Sequence, residues 1–159
     1  MICNTSPLQY LHQVGQLHLL PALVGRIVIP PAVAAEIDAG RTLGLNLPDV
    51  SATSWIESRR PVSALALPLV TDLGPGETEV LALALESPGA VVILDDAVAR
   101  RVAATLHVCL TGTLGVLLDA KRQGLITAVT PILDELEALR FRLASRTRAA
   151  ILELAGEAR

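Results

Sequence analysis

The sequence predicts an α/β protein with a mostly parallel central sheet. Short apolar runs alternate with helical patterns along the chain, which is typical of parallel strands joined by helices. The run Ala90–Leu94 is continuously apolar, as a strand covered by helices on both faces requires. The chain has 159 residues, of which 52% are hydrophobic and 2% aromatic, so it can build one aliphatic core. We therefore expect a single domain over residues 1–159 with four to five strands.

The first strand is followed by two predicted helices. Met1–Asn4 is a short apolar run that predicts the strand. Ser6, Pro7 and Gln9 then form a capping box, with Ser6 as the N-cap residue, that opens the first helix. A second short helix is predicted over Leu17–Val24.

The second strand and its helix follow directly. Arg26–Pro30 contains β-branched residues and predicts a strand. Pro31 opens a helix over Ala32–Ala39, and Gly40 ends it. Trp55–Ile56 predicts a short third strand after a polar loop.

The second half of the chain repeats the alternation of strands and helices. After an irregular surface segment over residues 61–73, a helix over Val80–Leu85 leads into the strand at residues 90–94. Asp95 and Asp96 open the next helix, with Asp95 as the obvious N-cap residue. The remaining predicted elements are a strand at Val108–Leu110 and helices over 97–106, 114–123, about 131–140 and about 146–155.

The last helices carry an apolar stripe at helical spacing. Its members are Ile132, Leu133, Leu136, Leu139 and Leu143. We expect residues from about 131 to 159 to dock on the domain's own core. A dimer interface or a groove for a partner protein is the alternative that the pattern leaves open.

Charge and cysteine content exclude some classes of protein. The net charge of −3 excludes a strongly basic nucleic-acid binder. Nucleic acid itself is not excluded, because nine of the 13 lysines and arginines fall from Arg100 onward, although solvated helix faces explain them equally well. Cys3 and Cys109 favour two reduced, buried thiols in a cytoplasmic protein. No stretch of 18 apolar residues and no basic leader is present, so we expect no membrane segment.

Oxygen-bearing side chains fall where functional sites of parallel sheets lie, outside the carboxyl ends of the strands. They are Asn4, Glu36, Glu77, Asp95, Asp96, Thr111 and Thr113. Four of them are carboxylates, and sites made only of oxygen suit Mg²⁺ or Mn²⁺ rather than Zn²⁺. Such an ion can polarise a phosphoryl oxygen and activate water. The set therefore favours metal-assisted hydrolysis of a phosphodiester.

Each of these residues also has an ordinary structural role open to it. Asn4, Ser6 and Asp95 are common capping residues. Glu77 in a first helical turn complements the helix dipole, and Glu36 fits a solvated helix face. For any one of them alone, residue type favours the structural role.

Five segments, in this order, resemble the PIN-domain superfamily. They are Asn4–Leu8, Ile29–Glu36, Gly74–Glu77, Leu94–Arg100 and Thr111–Lys121. The resemblance is closest to the small prokaryotic DUF3368 group, which is similar to VapC-type toxin ribonucleases, and it runs from residue 2 to about residue 155. It implies a three-layer α/β/α sandwich around a parallel sheet.

The resemblance also implies an activity, partners and a site. PIN nucleases are Mg²⁺- or Mn²⁺-dependent ribonucleases, often dimeric, and often the toxin of a toxin–antitoxin pair. RNA, a small antitoxin protein and a second copy of the chain are the implied partners. The catalytic and metal-binding positions fall on Asn4, Glu36, Glu77 and Asp96, with Asp95 as the alternative last ligand. The expected auxiliary hydroxyls are those of Thr5, Ser6, Thr111 and Thr113, and the expected phosphate ligands are Arg100 and Arg101.

Asn4 departs from the family's pattern, in which the first position is an acid. Its amide oxygen can still ligate a cation, but one negative charge is lost. Two hypotheses follow: a ribonuclease, or a catalytically weakened PIN-like module that binds nucleic acid or protein. A receiver-type phosphoacceptor domain is disfavoured, because its acidic pair follows the first strand and here Asp95 and Asp96 come late.

Overall fold

A computed structural model describes residues 1–63 and 73–158, and it confirms the predicted α/β class. The sheet has five strands, all parallel, in the order β3-β2-β1-β4-β5. The strands are β1 (Ile2–Cys3), β2 (Ile27–Ile29), β3 (Ile56–Ser58), β4 (Val91–Ile93) and β5 (Cys109–Thr111). Eight helices in the described part of the chain flank the sheet and give a three-layer α/β/α fold. They are α1 (Thr5–Gln13), α2 (Leu19–Val24), α3 (Pro31–Thr42), α4 (Pro75–Glu86), α5 (Ala97–Thr105), α6 (Thr113–Arg122), α7 (Thr130–Ala138) and α8 (Ser145–Leu154).

The strand order places a topological switch point at the carboxyl end of β1. The chain runs outward from β1 to β2 and β3, then crosses back to β4 on the other side of β1. Ile2 and Cys3 pair with Val92 and Ile93 of β4, and the Asn4 N–H donates to the Ile93 carbonyl over 3.2 Å. Ligand sites of open parallel sheets lie at such a point, because the loops after β1 and β4 diverge there.

The core is aliphatic, as the composition predicts. Its largest fully buried side chains are all leucine or isoleucine, including Leu8, Leu81 and Ile93. The prediction of two buried thiols is wrong for one of them. Cys3 is buried in the central strand, whereas Cys109 is exposed because it lies on the edge strand β5.

Three predicted helix boundaries are wrong, and one of them is the start of α4, which lies at Pro75 rather than at Val80. The first helix begins at Thr5 with Asn4 as the N-cap residue, so the capping box at Ser6 is not used. The third helix continues through Gly40 to Thr42. Gly40 does not end the helix because it serves packing: a Cβ there would overlap the side chain of Leu47.

The start of α5 corrects another prediction. Asp96, not Asp95, is the N-cap residue, and its Oδ1 accepts from the N–H groups of Val98 and Ala99 over 2.9 and 2.8 Å. Most of the irregular segment predicted over residues 61–73 lies outside the described residues.

The apolar stripe of the last helices divides into two parts. Ile132, Leu133 and Leu136 are buried in the core, whereas Leu139 keeps 39% of its surface exposed. Leu143 is half-buried against the core. Among the described helices, none combines the length and the apolar character needed to cross a membrane.

A carboxylate near the chain's end caps the start of α7. Glu157 accepts hydrogen bonds from the N–H groups of Val129 and Thr130 over 2.7 and 2.9 Å, and it pairs with Lys121 over 3.1 Å. Burial tends to raise the pKa of Glu157, but the hydrogen bonds from Thr130 and Val129 outweigh it and lower this pKa to about 2. The ionised carboxylate therefore ties the last residues of the chain to α7.

We expect Glu157→Gln to destabilise the fold only where Glu157 is ionised. Because the pKa of Glu157 is lower in the folded state, its ionised carboxylate stabilises the fold at pH values above the ordinary pKa of 4.5. This stabilisation is lost as the pH falls toward 2. At pH 7 the variant should lose about 1 kcal/mol, the usual effect of losing a helix cap. Urea unfolding at several pH values measures this. A difference that persists undiminished at the acid end would contradict the assignment.

Candidate active site

Asn4 lies at the switch point and its side chain is almost completely enclosed. Only 1% of its surface is exposed. Its Nδ2 donates to Glu77 Oε1 over 2.9 Å, whereas its Oδ1 is buried and has no hydrogen-bond partner in the described part of the chain. A buried acceptor without a partner lowers the stability of the fold by about 1–3 kcal/mol. A positive group that approached this oxygen would recover that stability.

Glu36 reaches the same place from α3. Its Oε1 accepts from the Gly76 N–H over 3.0 Å, and its Oε2 accepts from the Thr5 hydroxyl. The Gly76 N–H lies in the first turn of α4, where backbone N–H groups lack helical partners, and the Thr5 hydroxyl lies in the first turn of α1. Glu36 is therefore held in place by both helices that begin at this edge of the sheet.

Gly76 shows how closely these oxygens approach one another. A Cβ at this position would lie 2.8 Å from both carboxylate oxygens of Glu36 and 3.0 Å from Asn4 Oδ1. The amide oxygen and the carboxylate therefore pack closely around Gly76, and only glycine leaves room for them. We call Asn4, Glu36 and Glu77 the acidic cluster.

Asp96 lies next to the acidic cluster. Asp96 and Glu77 line the same open depression of about 170 Å³, together with Gly74 and its neighbours. Because two backbone N–H groups hold Asp96 Oδ1, the orientation of this carboxylate is fixed.

Asp95 points away from the cluster, toward α6. Its Oδ1 accepts from the Thr113 N–H over 2.8 Å, and its Oδ2 accepts from the Thr113 hydroxyl over 2.6 Å. Burial raises the pKa of Asp95, and the two Thr113 hydrogen bonds and the nearby Arg100 charge only partly oppose this. Asp95 and Thr113 therefore form a separate hydrogen-bonded pair that joins the end of β4 to α6.

The Arg100 side chain joins the carboxyl ends of β4 and β5. Its Nη1 donates to the carbonyl oxygens of Leu94 and Thr111 over 2.7 and 3.1 Å. Arg101 is exposed on α5. The Thr111 carbonyl is thus engaged by Arg100, and the described contacts do not bring the Thr111 side chain to the acidic cluster.

Two arginines that the sequence reading placed on solvated helix faces lie at the site. Arg140 and Arg142 line a groove of about 440 Å³ together with Ser6, Asp95 and Asp96. They belong to the connection between α7 and α8, far from the motif segments in sequence. Only the tertiary packing of the last helices brings them here, so no local pattern could have identified them.

The donor set fits a hard divalent cation. Within residues 1–63 and 73–158, no three Asp, Glu, His or Cys side chains come close enough to hold a metal ion by themselves. The unpartnered Asn4 Oδ1 beside the Glu36 carboxylate supplies what the acids alone do not. Mg²⁺ often binds through one or two protein carboxylates and keeps several water ligands, so the oxygen donors of this set are of the kind that Mg²⁺ takes.

The comparison with known families agrees with the fold and the site. A family model described as a PIN domain, DUF3368, matches residues 1–157. No curated protein and no solved structure matches the chain. PIN domains are generally nucleases that act on nucleic acid with divalent metal ions. The match covers all but two of the 159 residues, so the chain belongs to the PIN-domain family.

Proposed function

We propose that this protein is a Mg²⁺- or Mn²⁺-dependent ribonuclease whose site is the acidic cluster with Asp96. One observation carries the proposal: Asn4 Oδ1 is buried beside the Glu36 carboxylate and has no hydrogen-bond donor in the described part of the chain. Two oxygen acceptors this close, one of them on a carboxylate, repel each other unless a positive group approaches both. A divalent cation is the group that the family's chemistry supplies.

Each residue of the site has a role that follows from its contacts. Asn4 Oδ1 and Glu36 would hold the cation, which when bound polarises the phosphoryl oxygen and lowers the pKa of bound water. The Thr5 hydroxyl fixes the Glu36 carboxylate. Asn4 Nδ2 holds Glu77 Oε1, which leaves Oε2 of the same carboxylate to accept a proton from the attacking water. Asp96 borders the same depression as Glu77 and adds a second negative charge to it.

The proposal includes the biological setting. A toxin of a toxin–antitoxin pair would act on RNA in the cytoplasm, where thiols such as the exposed Cys109 stay reduced. Leu139 and Leu154 are exposed on the last two helices and offer apolar surface to a small antitoxin or to a second copy of the chain. A homodimer and an antitoxin complex are therefore part of the proposal.

A second candidate function is a nucleic-acid-binding module without catalysis. The hydrogen bond from Asn4 Nδ2 to Glu77 favours it, because an amide there removes the carboxylate repulsion that makes a metal necessary. In this reading the groove beside the cluster binds RNA, and the chain cleaves nothing.

Cleavage of single-stranded RNA with Mn²⁺ separates the two candidates. We expect the wild type to cleave and Glu77→Gln to be strongly impaired. Glu79→Gln is the matched control on the same helix, since Glu79 accepts from the Ala32 N–H over 2.9 Å and lies outside the cluster. Equal cleavage by the wild type and Glu77→Gln would contradict the proposed site. Binding of RNA without cleavage by the wild type would establish the second candidate instead.

A further inference from the structure

The groove beside Asp96 has a basic wall that the family's motifs do not include. Ser6 and Tyr10 of α1 and Asp96 line one part of it, and Arg140, Phe141 and Arg142 line the other. Asp96 also borders the depression that contains Glu77, so the groove and this depression adjoin at Asp96.

Both arginines of this wall are available to a ligand. Neither Arg140 nor Arg142 forms an ion pair or a side-chain hydrogen bond with any residue that the structure describes, and both are exposed. Arg148 on α8 behaves differently, because it pairs with Asp134 over 2.6 Å and with Glu137 over 2.7 Å. The free charges among these arginines are therefore the two that face the groove.

Arg140 occupies a backbone position that favours glycine. It follows the end of α7 with a φ of 63°, its N–H donates to the Glu137 carbonyl and the Phe141 N–H donates to the Leu136 carbonyl. Of the eight described residues with positive φ, six are glycine, and the others are Arg140 and His107. Replacing Arg140 by glycine would therefore remove the guanidinium and relieve the backbone at the same time.

An aromatic contact fixes the wall in place. The rings of Tyr10 and Phe141 meet edge to face with their centroids 4.9 Å apart. This contact ties the connection between α7 and α8 to α1, so the flanking arginines project from an anchored backbone.

We propose that Arg140 and Arg142 bind the phosphates of single-stranded RNA and guide the strand along the groove toward the acidic cluster. The inference rests on the proposed ribonuclease function and identifies the substrate-positioning residues of the same site. Each unpaired guanidinium group can bind a phosphate through two hydrogen bonds, and the two positive charges offset the repulsion that Asp95 and Asp96 exert on a polyanion. A recessed groove of about 440 Å³ accepts one strand, whereas duplex RNA is recognised across a broad surface.

Binding of a labelled single-stranded RNA to the full chain in EDTA tests the inference without metal or cleavage. Fluorescence anisotropy over a range of salt concentrations gives the affinity and its salt slope for the wild type, Arg140→Gly and Arg142→Gln. His107→Gly is the matched control. His107 follows α5 with the same backbone geometry, a φ of 57°, and it precedes β5, at the end of the sheet opposite to the carboxyl ends of the strands.

Each arginine variant should bind RNA about tenfold more weakly and reduce the salt slope by about 0.7, the value for one phosphate contact on a single strand. Arg140→Gly should also raise the Tm by roughly 2–4 °C, and His107→Gly should do the same, because glycine relieves the backbone. Weaker binding by a more stable protein cannot be attributed to unfolding. His107→Gly should keep the affinity and slope of the wild type.

Three outcomes would overturn the inference. If the wild type binds RNA and both arginine variants keep its affinity and slope, the wall is not a phosphate site, and the ribonuclease proposal still stands. If Arg101→Gln lowers the slope and the groove variants do not, α5 binds the phosphates instead. If an acidic peptide competes better than unlabelled RNA, the groove serves a protein ligand. A wild type that binds no RNA at all would count first against the proposed function.

Discussion

Glu36→Gln should lower metal-dependent RNA cleavage by at least about 100-fold, because even residues that only support metal ligands cost 10–100-fold when they are changed. Glutamine keeps an oxygen for the Gly76 N–H but removes the charge that faces Asn4 Oδ1. The loss should appear in kcat, since the cation acts on the reacting phosphate rather than on remote parts of the RNA. Steady-state cleavage of a short single-stranded RNA measures it.

The stability of the same variant provides its control. Glu36 is half-buried and its replacement has the same shape, so Tm in EDTA should stay close to the wild-type value. RNA binding in EDTA should also persist, because the groove arginines are untouched. A variant that cleaves at the wild-type rate would show that Glu36 holds no catalytic cation.

Asn4→Asp should make the fold depend on a divalent cation. The hydrogen bond of 2.9 Å from Asn4 Nδ2 to Glu77 Oε1 would be replaced by two carboxylates in contact at a position that is only 1% exposed. Repulsion of this kind is worth a few kcal/mol near a protein surface, so we expect Tm in EDTA to fall by roughly 5–15 °C at pH 8. Mn²⁺ should restore the Tm, and the affinity for Mn²⁺ should rise by at least about tenfold.

The fall in Tm caused by Asn4→Asp should depend on pH in one direction. Two carboxylates in contact raise one pKa, so near pH 5 the pair retains a proton and the repulsion falls. The Tm difference from the wild type in EDTA should therefore be smaller at pH 5 than at pH 8. Thermal unfolding at both values measures it. Gln123→Glu is the matched amide-to-carboxylate control, because Gln123 is exposed and its side chain has no hydrogen bond in the described part of the chain. An equal loss at the two pH values would contradict the carboxylate pair.

The fold could be predicted from the sequence because its strands are short apolar runs in strict alternation with helices. Ala90–Leu94 has no other plausible role than a buried strand, and β4 lies within it. The boundaries that were wrong depend on tertiary contacts. Gly40 ends a helix by its local preference, yet it is interior to α3 because Leu47 packs against it.

Part of the candidate site could likewise be predicted from the sequence, and part depends on tertiary structure. Asn4, Glu36 and Glu77 are found from the sequence because each stands at the end of a strand or in a helix beside one, and the structure brings the three together. Asp95 and Asp96 could not be told apart, since both are capping residues. The structure separates them: Asp96 caps α5 and borders Glu77, and Asp95 bonds to Thr113. The free oxygen of Asn4 depends on side-chain orientation, which no sequence pattern carries.

Calorimetric titration of the metal-free wild type with Mn²⁺ tests the account most directly, with Glu36→Gln titrated in parallel. The account predicts one weakly bound Mn²⁺ per chain for the wild type, because the partnerless Asn4 Oδ1 lies beside the Glu36 carboxylate. It predicts that Glu36→Gln loses this binding while Glu79→Gln retains it. No Mn²⁺ binding by the wild type, or equal binding by the wild type and Glu36→Gln, would contradict it.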